Sequence, residues 1–125
     1  MYVPSGESVY SSDDMSIWYL GNSGNDFTFA IYNGTNHPCE YTLDHSSVNE
    51  WSYEITDYTF DLYDEGIMSG CYDTFTFSVD RSFLKEHEDL TDIASIEFDV
   101  TMAQTDWDYS GDKLSVTSDR IIIEK

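Results

Sequence analysis

His37-Pro38-Cys39, His45 and Cys71 are the residues of this sequence whose types and spacing come nearest to a metal site. An imidazole and a thiol stand beside each other at a turn, a second histidine follows six residues after Cys39, and Cys71 comes directly after Gly70 in another turn. Two cysteines and two histidines are one donor set of tetrahedral structural zinc. If residues 39 to 45 form one alternating strand, Cys39, Tyr41, Leu43 and His45 share a face, which permits convergence and equally suits a buried thiol beside a surface histidine. The spacing matches no standard zinc finger. A Cys39–Cys71 disulfide in an oxidising compartment and two unpaired thiols are the competing readings. His87, inside Lys85-Glu86-His87-Glu88-Asp89, reads as a solvated side chain.

Carboxylates are the other chemically able groups. Asp57, Asp61, Asp64 and Glu65 lie close in sequence, as do Asp106, Asp108 and Asp112. Their hard oxygens suit calcium, but neither group has the Asp-x-Asp-x-Asp-Gly order of an EF-hand loop, so a solvated acidic face is the favoured reading. No Gly-x-Ser-x-Gly elbow, phosphate-cradling glycine loop or His-Glu-x-x-His helix occurs, and no carboxylate pair stands out as a glycosidase pair. The chain reads as a non-enzyme.

Charge narrows the partners. Twenty-five Asp and Glu stand against five Lys and Arg, a formal charge of −20 where a small domain typically needs a magnitude of roughly 2 to 8 for solubility. Such a field repels DNA, RNA and anionic lipid, so neither nucleic acid nor membrane is an expected direct partner. It favours basic proteins. Asp57 and Asp61 point outward from one expected strand and Glu97 and Asp99 from another, while Asp64, Glu65, Asp106, Asp108 and Asp112 add charge in turns. Rows of this kind can imitate a phosphate backbone, with Trp107 and Tyr109 as aromatic anchors.

These groups need elements to hold them. Phe27, Phe29 and Ile31 alternate with Thr28, Ala30 and Tyr32, and the same two-residue period recurs at Trp51, Tyr53 and Ile55 and at Tyr58, Phe60 and Leu62. Phe75, Phe77 and Val79 repeat it, as do Ile96, Phe98, Val100 and Met102. With Ile17–Leu20 and Leu114–Ile123, about seven antiparallel strands are expected, divided by turns such as Asn33-Gly34-Thr35-Asn36-His37-Pro38. Arg81–His87 is the one helix-like stretch, a short crossover. Residues 1–15, with Pro4, Gly6 and Ser11-Ser12-Asp13-Asp14, read as a loose N-terminal arm, and residues 16–125 as a single all-β sandwich domain.

Several segments carry a resemblance. Phe27-Thr28-Phe29-Ala30-Ile31-Tyr32-Asn33-Gly34-Thr35-Asn36, Val48-Asn49, Leu84 followed by Asp92-Ile93-Ala94-Ser95-Ile96-Glu97-Phe98, and the closing Ser118-Asp119-Arg120-Ile121-Ile122-Ile123 make the stretch from about residue 26 onward similar to immunoglobulin-like β-sandwich domains of uncharacterised Firmicutes envelope proteins and lipoproteins. The resemblance implies a binding or spacer module outside the cytoplasm, part of a longer precursor. A native start at Met1, whose following residues lack the basic-then-apolar pattern of a signal peptide, would instead keep the chain in the cytoplasm. Charge favours a different use from that module. The expectation is an acidic inhibitor that occupies the nucleic-acid groove of a basic protein such as a nuclease, as phage anti-CRISPR and other anti-defence proteins do. It needs no cofactor unless the zinc set forms.

Overall fold

The computed structural model describes residues 6–24, 26–48, 51–52, 59–60, 67–79, 95–105 and 114–124, and every regular element among them is a β-strand. One antiparallel sheet, here sheet A, runs in the order β1 (Glu7–Ser11), β2 (Met15–Ser23), β3 (Asp26–Asn33), β7 (Tyr72–Ser78), β6 (Thr59–Phe60). Sheet B runs β10 (Ile121–Glu124), β8 (Ser95–Gln104), β4 (Cys39–Val48), β5 (Trp51–Ser52), and β9 (Ser115–Thr117) lies along the later half of β8. The described residues thus hold ten strand segments. The expected helical crossover at Arg81–His87 lies outside them, as do most residues of the expected strands around Tyr53–Ile55 and Leu62.

Alternation explains which residues go inside. Burial along β8 switches at every residue, with Ile96, Phe98, Val100 and Met102 at 0% exposure and Glu97, Asp99 and Thr101 outward. β7 does the same with Phe75 and Phe77, and β3 with Phe27, Phe29 and Ile31 except that Ala30 between the last two is buried too. Their inner faces meet across the sandwich at Phe98. Its ring lies edge-on to Phe29 at 5.1 Å, 5.5 Å from Phe77 and 6.3 Å from Phe75. Phe29 and Phe75 stack at 5.2 Å across paired strands of sheet A. Burying each such side chain contributes roughly 1.5–3 kcal/mol, and each ring pair about 0.5–1.5 kcal/mol more. The two-sheet sandwich is therefore fastened by Phe98 of sheet B inserted among three aromatics of sheet A, with Tyr41 of β4 adding a contact to Phe75 at 6.0 Å.

The N-terminal arm is corrected for residues 7–11. They form β1, paired with β2 from Glu7↔Tyr19 to Ser11↔Ser16, and Val9 and Tyr10 pack against the core. Ser11-Ser12-Asp13-Asp14 is the hairpin turn, not a tail. Ser12 closes it, its N–H donating to the Met15 carbonyl at 2.9 Å and its hydroxyl to the same oxygen at 3.0 Å. A Cβ on Gly34 would collide with the Asp13 carbonyl oxygen, so glycine there lets the 33–38 loop dock on this turn, with Gly34 N–H donating to Asp14 O at 2.9 Å.

That loop is organised by Asn33, fully buried at the end of β3. Its Nδ2 donates to the carbonyls of His37 and Ile67, both at 2.8 Å. Its Oδ1 accepts from the Thr35 N–H at 2.9 Å and the Thr35 hydroxyl at 2.7 Å. All four hydrogen-bonding positions of the amide are used, which is what makes a buried amide tolerable.

Candidate functional site: the acidic face of sheet B

The outer face of sheet B collects carboxylates from three adjacent strands. β4 presents Glu40, Thr42 and Asp44, β8 presents Glu97 and Asp99, and β10 presents Ile122 and Glu124. Asp44 stands directly opposite Asp99 in the β4–β8 ladder, an arrangement of like charges that is destabilising by itself. The chain answers it with a β-bulge. Between Asp44↔Asp99 and Ser47↔Glu97 two residues of β4, His45 and Ser46, oppose the single residue Phe98. His45 takes a left-handed conformation, φ 53°, the one non-glycine residue with positive φ among the described residues.

The bulge brings an imidazole and a guanidinium onto the carboxylates. His45 Nδ1 lies 2.9 Å from Asp99 Oδ2. Arg120, just before β10, donates through Nη2 to Glu97 Oε2 at 3.0 Å, through Nε to the same oxygen at 3.3 Å, and through Nη1 to the His45 carbonyl at 2.9 Å. Ser47 Oγ donates to Glu97 Oε2 at 3.2 Å. Asp99 and Glu97 are consequently part-buried, with side chains 17% and 29% exposed, and Asp99 Oδ1 is buried without a hydrogen-bond partner. Glu40, Asp44 and Glu124 are exposed, and among the described residues none has a cationic partner.

A histidine oriented by a carboxylate is also half of a general-base arrangement. Among the described residues no hydroxyl or thiol bonds its other ring nitrogen, and the side chain is 76% exposed.

The zinc set is corrected. All four residues are described, and no group of three or more His, Cys, Asp or Glu able to hold an ion occurs among the described residues. Cys39 begins β4, is fully buried, and directs its sulfur at Thr35 Oγ1 and the His37 carbonyl, both 3.5 Å away. His45 sits six residues further along the same strand, about 20 Å at strand rise. The added bulge residue also takes it off the buried face of Cys39, Tyr41 and Leu43. Cys39 and Cys71 are both free thiols.

Of the expected partner-binding residues, Glu97 and Asp99 are placed as described. Asp57, Asp61, Asp64, Glu65, Asp106, Trp107, Asp108, Tyr109 and Asp112 lie outside the described residues. The residues that sequence reasoning missed are Glu40, Asp44 and Arg120. The alternation of Glu40 and Asp44 with Cys39, Tyr41 and Leu43 was a usable signal for the first two; Arg120 had none, because its role depends on reaching across to Glu97 and the bulge.

The outer face of sheet A is unlike this one. Its central strands present Ser16, Trp18, Thr28, Tyr32, Thr74 and Thr76, with Asp26 at the start of β3 as the one charged residue these strands turn to that face among the described residues. Comparison with protein-family models, with curated proteins and with solved structures finds no match to the chain.

Proposed function

We propose that this chain is a non-enzymatic binding module of immunoglobulin-like type that docks the acidic outer face of sheet B onto a basic protein, in the manner of a nucleic-acid mimic. The strand orders support the architecture: in chain order, β2-β3-β7-β6 and β10-β8-β4-β5 correspond to the A-B-E-D and G-F-C-C′ sheets of such a sandwich. The observation that carries the docking surface is the gathering of Glu40, Asp44, Glu97, Asp99 and Glu124 on three neighbouring strands, answered by only His45 and Arg120 among the described residues. Strand spacing and same-face repeat set Asp44, Asp99 and Glu97 about 5–7 Å from one to the next, with Glu40 about 13 Å along β4 from Asp44. A field of that density speeds association with a basic groove. The carboxylates outside the described residues, from Asp57 to Glu65 and Asp106 to Asp112, join this reading through sequence alone.

The test is competition between the chain and a DNA duplex or guide RNA for a basic nuclease, with Glu40→Gln/Asp44→Asn as the weakened variant. The expected result is competition by the native chain that falls at ~1 M salt, where the Debye length is about 3 Å, and a loss of several-fold in the variant. Equal competition by both proteins would remove the sheet-B face from the reading. The same strand order favours a second reading, the envelope binding or spacer module, which would stand if no basic partner is displaced at any salt.

A further inference from the structure

β10 lies at the edge of sheet B, paired on one side with β8 through Ile121↔Phe98 to Glu124↔Ser95; among the described residues no strand lies along its other side. An edge strand exposes alternate N–H and C=O groups that template another strand, and folded proteins usually blunt such edges with proline, lysine or bulges. β1, the edge of sheet A, has a bulge at Val9. β10 has neither proline nor bulge, and is protected only by its length of 4 residues and the charge of Glu124. Its sequence is Ile121-Ile122-Ile123-Glu124, three β-branched apolar residues, and Ile122 is 52% exposed although it sits on the acidic outer face.

The residues around Ile122 are self-complementary. In an antiparallel pairing of two copies centred on Ile122, Ile122 meets Ile122 and Ile121 meets Ile123. The same register sets Arg120 against Glu124 of the second copy, and by symmetry Glu124 against Arg120 of the second copy. The sequence extends the pattern one step further at each end, Asp119 against Lys125. Every charged position in this register faces its opposite, in a chain that has one cation for every five carboxylates. Arg120 keeps 40% of its side chain exposed, but its guanidinium is turned toward β8 and β4, on Glu97 and the His45 carbonyl, so a pair with Glu124 of the second copy forms in competition with those bonds. Opposite charges and matched β-branched residues facing each other across strands are the pairs that stabilise a ladder.

We infer that β10 is a homodimer edge: two copies of this chain join sheet B to sheet B in antiparallel fashion about a two-fold axis at Ile122. Such an interface is isologous, the same patch on each copy. The net charge of −20 on each copy opposes it, so dimerisation is expected where that repulsion is screened. It shares Glu124 and Arg120 with the docking surface proposed above but does not rest on that reading.

Sedimentation equilibrium of the chain at ~1 M NaCl, where the Debye length is about 3 Å, tests it. The expected result is a concentration-dependent twofold rise in mass at micromolar to high-micromolar chain. Ile122→Lys sets like charges against each other on the axis, and Glu124→Lys sets lysine against Arg120. Ile122→Lys should weaken the dimer at least tenfold at ~1 M NaCl, and Glu124→Lys several-fold at ~0.15 M NaCl, where the Debye length is about 8 Å; both should leave the thermal midpoint of the dilute monomer unchanged, the two positions being solvent-facing. A monomer mass throughout the concentration series overturns the inference. So does a dimer that Glu124→Lys leaves intact at the lower salt, including the case where Ile122→Lys fails to fold.

Discussion

His45 reaches Asp99 from a backbone that L residues rarely adopt: Nδ1 lies 2.9 Å from Oδ2 while φ is 53°. The bulge turns the ring out of the strand's regular alternation and over the carboxylate that Asp44 opposes. The bulge conformation and the hydrogen bond on Asp99 therefore come from one residue.

Substitution separates the two. His45→Gly loses the contact but fits the left-handed backbone, whereas His45→Ala loses the contact and keeps the steric cost of a Cβ there, about 1 kcal/mol. The alanine variant should be the less stable of the two by about that amount in urea denaturation. Equal stabilities would show that the bulge does not depend on its positive φ.

Asn33→Ala should be among the most damaging single changes. It strips hydrogen bonds from the buried carbonyl of Ile67, the carbonyl of His37 and the Thr35 N–H. A loss of about 1–3 kcal/mol is expected, the cost of one unsatisfied buried group, because the Thr35 N–H loses its acceptor while Ile67 O keeps the Cys39 N–H at 3.0 Å and His37 O keeps the Thr35 hydroxyl at 2.9 Å. Asn33→Asp should lose nearly as much, because a carboxylate cannot donate to the two carbonyls. A denaturation midpoint within error of the native one would mean that the loop is held by other contacts.

Thiol labelling should resolve the cysteines. Cys71 is half-buried and Cys39 fully buried, so one thiol per chain should react with an aromatic disulfide reagent in buffer and the second only at the rate of unfolding. Chelator should leave both the labelling pattern and the thermal midpoint unchanged, because the four soft donors do not converge. Stoichiometric zinc by elemental analysis, released by Cys39→Ala, would contradict the geometry.

Tyr19 supplies an alkaline signature. Burial beside Phe27 and Phe29 raises its phenol above the ordinary 10.0. Between the ordinary and the raised value the unfolded chain has lost a proton that the folded chain keeps. Stability from this residue is thus complete below pH 10 and declines as pH rises through the raised value. Tyr19→Phe should remove one late-ionising phenol from a tyrosinate absorbance titration and flatten the alkaline fall in thermal midpoint. An identical alkaline limb in the variant would sink the assignment.

How far the fold could be read beforehand follows from which forces act locally. The strands at Phe27–Ile31, Phe75–Val79 and Ile96–Met102 were legible because burial of one face imposes a period of two on the sequence itself. The outward placement of Glu97 and Asp99 came with it. Their partners did not, since Arg120 and His45 lie 23 and 54 residues away and meet them only once the sheet has formed. Ser11-Ser12-Asp13-Asp14 misled because a hairpin turn and a solvated tail ask for the same residues. The zinc reading failed at one step: it assumed unbroken alternation from Cys39 to His45, and nothing in a single sequence marks an extra residue in a strand.

That extra residue gives the chain a place where its length can change. Phe98 is opposed by two residues of β4 where a regular ladder needs one, and Val48 still finds its way inward against Ile96. Deleting His45 would let Ser46 alone stand across from Phe98, with Leu43 before it and Val48 after it both still facing the core. Removing any residue between Cys39 and Leu43 would instead exchange inside for outside along one arm of the strand. The core of sheet B can therefore absorb a one-residue deletion at the bulge and not elsewhere in β4, while the surface loses the imidazole on Asp99 and the carbonyl that Arg120 holds. Chain length at this point belongs to the face, not to the core.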